Sequence, residues 1–213
     1  MSAPSETPLR TSQVYRDLSK WYRGFIQGKT RAFLAWIFAI SLALSARIPL
    51  HFAGVFLCFL GAALRFWASG FLRKDVRPAV GGPYAHVRNP LYLGTFMMAI
   101  GTAWAAGSFV LMTSGFILFL AIYQFIIEDE EVKLRVLFGD SYRAYCQIVP
   151  RFFPSLIPAS RQFLDEVNPE REHRKFSMEL ALKNKAYEAF AAFFGLMTSV
   201  VALSKLWYYF LGN

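Results

Sequence analysis

Apolar residues fall into five long runs separated by polar or proline-bearing breaks, and that rhythm dictates the first reading of the chain. The runs cover Arg31 to Ala46, Leu50 to Leu72, Leu91 to Gly107, Phe109 to Ile127 and Ala186 to Leu211. A hydrocarbon core of about 30 Å takes about 20 apolar residues in a helix, so each run is a candidate transmembrane helix, the first being short. Tight breaks at Arg47-Ile48-Pro49 and Gly107-Ser108 predict two helical hairpins that turn at the same face. The pattern therefore predicts an all-α polytopic membrane protein of about five spans.

Polar positions refine this picture. Between Glu128 and Lys185 the chain is too polar to span. Ile127, Glu131, Leu134 and Phe138 share a helical face and predict a helix continuing out of the fourth span. Gly139 ends it, and Asp140 is placed to cap a second short helix that carries Tyr142, Tyr145 and Val149 on one stripe, stopped by Pro150 and Pro154. That stripe is expected along the membrane surface. Beyond Pro158 a charged linker is expected. There Asn168-Pro169-Glu170 reads as a cap with proline at the first helical position, leading into a helix that continues toward the fifth span. The whole reads as one membrane domain over residues 1–213, with a core at about 69–154, a cytoplasmic linker at 155–185 and an additional span at 186–211.

Charge and composition agree with a membrane. Hydrophobic residues make up 55% of 213 and charged residues 17%, too few for an ordinary soluble surface. Of 23 Lys and Arg, 6 lie up to Arg31, 4 between the second and third runs and 10 between the fourth and fifth, all on one side of the predicted topology. The positive-inside rule makes that side, with the N-terminus, cytoplasmic and puts the C-terminus opposite. The net charge of +9 then reflects topology and anionic head groups, with no need for a nucleic-acid partner. Neither Cys58 nor Cys146 is placed to pair, the first run has no cleavage site, and nothing in the pattern sets an oligomeric state.

Two blocks flank the hairpin of runs three and four, and so meet on one membrane face. The first is Gly81-Gly82-Pro83-Tyr84-Ala85-His86-Val87-Arg88-Asn89-Pro90-Leu91-Tyr92-Leu93-Gly94. The second is Glu130-Glu131, Leu134, Phe138-Gly139, Tyr142 and Tyr145. Irregular backbone at this depth is tolerated where it is buried in protein or lines a cavity, which points to a small-molecule pocket made by the loop before helix three and the helix after helix four. A turn between helices uses the same Gly and Pro residues. No dinucleotide fingerprint, P-loop or metal-ligand spacing is present, and no metal is expected.

The pairing of Gly82-x-Tyr84-x-x-x-Arg88-x-Pro90-x-Tyr92-x-Gly94 with Glu130-Glu131-x-x-Leu134-x-x-x-Phe138-Gly139-x-x-Tyr142-x-x-Tyr145 resembles the isoprenylcysteine carboxyl methyltransferases and the related phospholipid N-methyltransferases. These are integral-membrane enzymes that use S-adenosylmethionine and release S-adenosylhomocysteine. The resemblance covers Ser69 to Pro154, about two-fifths of the chain. It implies that Ser69, Val76, Arg77, Pro78, Ala79, Tyr84, Asn89, Pro90, Leu91, Tyr92 and Glu130 enclose the cofactor. Tyr84 and Tyr92 suit adenine or the sulfonium, Glu130 the ribose or ammonium, and Arg77 the carboxylate.

Two departures bear on the acceptor. Asn89 stands where the carboxyl methyltransferases have histidine, and Asn-Pro-Leu-Tyr-x-Gly is nearer the phospholipid pattern. Ile126 stands where they place the arginine that binds the substrate carboxylate, leaving Arg65 in the second run as the substitute cation. An amine acceptor needs a base, for which Glu131 is the candidate with Tyr123 behind it. The expected acceptor is a membrane lipid or lipidated substrate, an amine head group ahead of an isoprenylcysteine-type carboxylate. A sterol-reductase-like NADPH oxidoreductase and a non-enzymatic scaffold packed by Gly94, Gly101 and Gly107 remain as alternatives.

Overall fold

The computed structural model describes Ser41 and residues 50–73 and 78–211, which are all helix, turn or loop with no strand among them. The first predicted span, the turn after it, and Val76 and Arg77 lie outside the described residues. The described residues from Leu50 on belong to one compact unit, Leu42–Asn213.

Small residues decide how the first two described helices meet. Helix α1 (Phe52–Ser69) and helix α2 (Pro90–Ala105) run antiparallel, with Gly54 and Gly61 on α1 and Gly94 and Gly101 on α2 each seven residues apart. Seven residues are about two turns, so each pair lies on one stripe. A Cβ at Gly61 would sit 2.6 Å from the Gly94 carbonyl oxygen, and one at Gly101 would sit 2.5 Å from the Cys58 nitrogen. The backbones are in contact, as dispersion-driven packing between apolar helices requires. At the far end His51 N–H donates to the Ala105 carbonyl at 3.1 Å and closes the pair.

Gly107, with φ of 73°, makes the left-handed turn into helix α3 (Phe109–Ile148), and the Ser108 hydroxyl caps α3 by accepting from Leu111 N–H. The 40 residues of α3 run from the apolar fourth run through the acidic turn without interruption until Gly139, whose φ of 57° and ψ of −131° kink the helix. Proline at 150 is spared a place in the helix, which ends at Ile148. Helix α6 (Tyr187–Leu211) packs Ala189 and Phe193 against Cys58, Ala62 and Met98, and its Val200 reaches Ala103, Ala106 and Leu111.

Among the described residues, two helices, Phe52–Ser69 and Tyr187–Phe210, are long and apolar enough to cross a membrane, and Phe109–Leu120 is a shorter apolar stretch. Their outer faces carry exposed Phe52, Phe109, Val110, Ile117, Phe194 and Leu206, a surface that water solvates poorly and lipid solvates well.

The polar segment departs from expectation. Residues 155–185 are no linker: they form α4 (Arg161–Val167), a 3₁₀ turn (Arg171–Arg174) and α5 (Met178–Lys183). Asn168 ends α4 rather than starting a helix, and its side chain accepts from Glu170 N–H at 3.2 Å. Ser177 caps α5 anew and Lys185, at a φ of 54°, separates α5 from α6, so no helix runs from Asn168 into the fifth span. The Tyr142, Tyr145 and Val149 stripe is not at the protein surface. It is buried against Val80, Ala85, Leu164 and Val167, because α4 folds back to cover it.

Candidate active site

The loop between α1 and α2 is held from below. Gly82, at a φ of 55°, opens a 3₁₀ turn (Gly82–Ala85). A Cβ there would collide with the Phe71 ring, and one at Gly81 with the Arg174 backbone, so these glycines are required by packing. Residues 85–88 then pair with the chain after α3. Arg88 N–H donates to the Pro150 carbonyl, Ser155 N–H to His86 and Ala159 N–H to Ala85, each at 2.9 Å. The Asn89 amide donates to the Arg151 carbonyl at 3.0 Å, and the Tyr145 hydroxyl donates to the Tyr84 carbonyl at 2.7 Å. Burial raises the Tyr145 phenol well above its ordinary value, with neighbouring Tyr142 and Tyr84 adding to it, so this donor keeps its proton.

Beneath the loop lies a charge node. Glu131 is only 2% exposed, and Arg88 meets its Oε1 at 2.9 Å. Arg151 binds it in bidentate fashion, Nε to Oε1 at 3.2 Å and Nη2 to Oε2 at 3.0 Å, and Arg135 reaches Oε2 at 3.4 Å from the exposed side. Glu128 meets Arg151 at 3.5 Å. Burial alone would lower Arg151, but its hydrogen bonds to Glu131 and the charges of Glu131 and Glu128 outweigh that and raise it. The node ties the loop, the acidic turn of α3 and the strand-like stretch after it into one body.

Above it the remaining site residues gather. The Tyr92 hydroxyl donates to Glu130 Oε2 at 2.7 Å, and its ring meets Tyr123 edge-on at 5.3 Å between centroids. Tyr123 stacks on Phe119 at 3.9 Å, continuing an aromatic run through Phe96 and Phe152. Across from them, Arg65 Nη1 donates to the Leu91 carbonyl at 3.2 Å and to the Thr95 hydroxyl, while the Ser69 hydroxyl donates to the Arg65 carbonyl at 2.8 Å. Tyr84 is buried with Ala68 and Phe71, with Ala79 and Leu91 packed on that group. Its phenol is pushed up first by burial and then by Glu130, and Arg65 opposes them. Arg65, Ser69, Ala79, Tyr84, Leu91, Tyr92, Tyr123 and Glu130 are thus brought together.

Others sit elsewhere. Glu131 and Asn89 belong to the node beneath the loop, Pro90 is buried as the first residue of α2, and the Pro78 carbonyl accepts from Asn168 at 3.3 Å. Arg151 and Asn184 carry no pattern in the sequence that marks them, and Asn168 is marked there only as a helix cap. Arg88 was visible only as the arginine of the loop motif.

The family model for phospholipid methyltransferases matches residues 36–141. The match takes in just under half of the chain, which is thus similar to the phospholipid methyltransferases over its middle part. The chain is 41% identical over 88 residues to protein-S-isoprenylcysteine O-methyltransferase of Schizosaccharomyces pombe, covering 40% of this chain and 36% of that protein. It is 47% identical over 75 residues to methanethiol S-methyltransferase 1 of Bradyrhizobium diazoefficiens, covering 33% of this chain and 24% of that one. The chain thus spans about a third or less of the length of the curated relatives it matches. No solved structure matches it. The 161–185 segment lies beyond the residues that the family model matches and packs against the loop.

Proposed function

We propose that the chain is a membrane-embedded methyltransferase that uses S-adenosylmethionine. Its acceptor is a lipophilic molecule that reaches the site already as an anion, a prenylcysteine-type carboxylate ahead of a thiolate. The residues present fit the cofactor. Glu130 has one oxygen held by Tyr92 and the other directed to no described partner, which suits a ribose diol or an ammonium, and buried Tyr84 supplies an apolar wall. When bound, the sulfonium supplies an electrophilic methyl group and leaves as a neutral thioether. Alignment of the partners does the rest, and the site's own contribution is to position and to shed water.

Arg65 carries the acceptor assignment. Its guanidinium lies against Leu91 and Thr95, beside the tyrosine and Glu130 cluster, and it forms no ion pair with a carboxylate among the described residues. A cation so placed favours an anion in a low-dielectric cleft. The relatives' printed substrates, an isoprenylcysteine and methanethiol, are both acidic acceptors. An amine would instead require a base, and Glu131 is ill suited because arginines occupy both its oxygens. Tyr123 then serves to hold Tyr92 and face the acceptor's apolar part.

The exposed apolar side chains of α1, the first part of α3 and α6 support a membrane-embedded chain, and the placing of Lys and Arg along the sequence supports a cytoplasmic N-terminus and site with the C-terminus opposite. The test offers the purified chain in nanodiscs labelled S-adenosylmethionine with N-acetyl-S-farnesylcysteine, an alkanethiol or phosphatidylethanolamine. Label should enter the carboxylate or thiol and fall roughly tenfold to a hundredfold in Arg65→Met, the loss of a charged hydrogen bond. Methylation of phosphatidylethanolamine that ignores Arg65→Met would overturn the acceptor assignment.

A further inference from the structure

The 161–185 segment holds both flanks of the loop that follows α1, and it does so with buried polar groups. At the end of α1 the Asn184 amide donates to the Ser69 carbonyl at 2.9 Å and to the Leu72 carbonyl at 2.7 Å. Ser177 N–H donates to the Gly70 carbonyl at 3.0 Å, and the Phe176 ring fills the space where a Gly70 side chain would stand. At the other flank the Asn168 amide, 1% exposed, donates to the Pro78 carbonyl at 3.3 Å. The Arg174 backbone lies directly on Gly81, while Leu164 and Val167 pack on Val80. The segment is itself braced, since Asp165 pairs with Arg174 and, at 3.3 Å, with Arg171.

A helix end leaves its last carbonyls without intrahelical donors, and a loop of Gly and Pro supplies few donors of its own. Here those donors come from far along the chain, with separations of 90 between Asn168 and Pro78 and 115 between Asn184 and Ser69. Ser69 itself, and Ala79 next to Pro78, belong to the site cluster. The segment is therefore in contact with the loop's polar backbone at the places where a bound cofactor would need it fixed.

We propose that the 161–185 segment is a clasp that sets the geometry of the cofactor loop, with Asn184 and Asn168 as positioning residues. This rests on the methyltransferase reading, because the loop's occupant is taken from it. The clasp acts by removing loop freedom that cofactor binding would otherwise have to remove, so loosening it weakens the cofactor and spares the chemical step.

The experiment uses the full chain in nanodiscs and three variants: Asn184→Asp and Asn168→Asp, which keep shape but lose the amide donors, and Asn184→Gln, which keeps the donors. Calorimetry with S-adenosylhomocysteine should show about tenfold weaker binding in Asn184→Asp and a smaller loss in Asn168→Asp, following from two lost hydrogen bonds against one. The apparent KM for S-adenosylmethionine should rise with kcat held, and Asn184→Gln should recover part of the affinity. Amide exchange measured by mass spectrometry should rise over residues 69–84 and not over α2 or α6. Unchanged affinity in a folded Asn184→Asp protein, or exchange that rises equally throughout, would overturn the clasp. Should Asn184→Asp fail to fold, Asn168→Asp decides by the same two readings. If the unmodified chain binds no S-adenosylhomocysteine, the methyltransferase reading fails, and the exchange pattern alone judges the clasp.

Discussion

Replacing Glu131 by glutamine separates a structural anion from a catalytic base. The carboxylate is 2% exposed and meets Arg88 at 2.9 Å and Arg151 at 3.0 Å, with Arg135 at 3.4 Å but 46% exposed. Neutralising it leaves the Arg88 guanidinium, 11% exposed, without its counter-ion, while Arg151, 34% exposed, keeps Glu128 at 3.5 Å, and breaking such a buried pair costs about 3–5 kcal/mol. Arg135 is screened by solvent, so Arg135→Gln should cost about 0–1 kcal/mol. For a domain of this size the first loss corresponds to a fall in Tm of roughly 6–20 °C. The assay is thermal unfolding in nanodiscs beside steady-state methyl transfer. The expected result for Glu131→Gln is a large fall in Tm with weaker cofactor binding, because the loop carrying Arg88 loses its anchor. An unchanged Tm with kcat lost, and a pH profile that loses its acidic limb, would refute this and restore Glu131 as a base.

Three further outcomes follow from the same geometry. Gly61→Val or Gly94→Val should push α1 and α2 apart, since a Cβ at Gly61 would already meet the Gly94 carbonyl oxygen at 2.6 Å. A destabilisation of about 1–3 kcal/mol is expected in unfolding, against almost none for Gly195→Val, where no neighbour lies within 4 Å. Tyr84, Tyr142 and Tyr145 all have phenols raised chiefly by burial, so their folded values lie above the unfolded 10.0. Their contribution to stability is complete below pH 10 and is lost as pH rises through the folded values, so absorbance at 295 nm should show them ionising only together with unfolding. Tyr92→Phe removes the donor that holds Glu130 and should weaken S-adenosylhomocysteine by roughly tenfold, read by calorimetry.

What the sequence made legible was whatever depends on local pattern. Apolar runs near 20 residues marked the membrane-length helices, and the shared face of Ile127, Glu131, Leu134 and Phe138 marked α3 as running on past the apolar stretch, as it does. The motif blocks led to the expectation that Tyr84, Tyr92 and Glu130 share a site, and of these the Tyr92 hydroxyl binds Glu130. What depends on distant partners was hidden. The segment after Pro158 has the composition of a linker, and only Asn168 on Pro78 and Asn184 on Ser69 and Leu72 reveal that it is folded. The Tyr142 and Tyr145 stripe has an amphipathic period that suits a membrane surface as well as a protein core, and the choice was made by Leu164 and Val167. Glu131 likewise reads as a second acid beside Glu130, yet neighbouring residues of α3 point about 100° apart, which sends the two side chains to different destinations, one to three arginines and the other to Tyr92.

The central claim is that the α1–α2 loop and the acidic turn of α3 together hold a sulfonium nucleoside. Calorimetry of the full chain in nanodiscs with S-adenosylhomocysteine, with NADPH as the comparison and Glu130→Ala as the variant, tests it most directly. Binding of S-adenosylhomocysteine but not NADPH, weakened at least tenfold by Glu130→Ala, is the predicted result. Binding of NADPH alone, or S-adenosylhomocysteine affinity indifferent to Glu130, would contradict it.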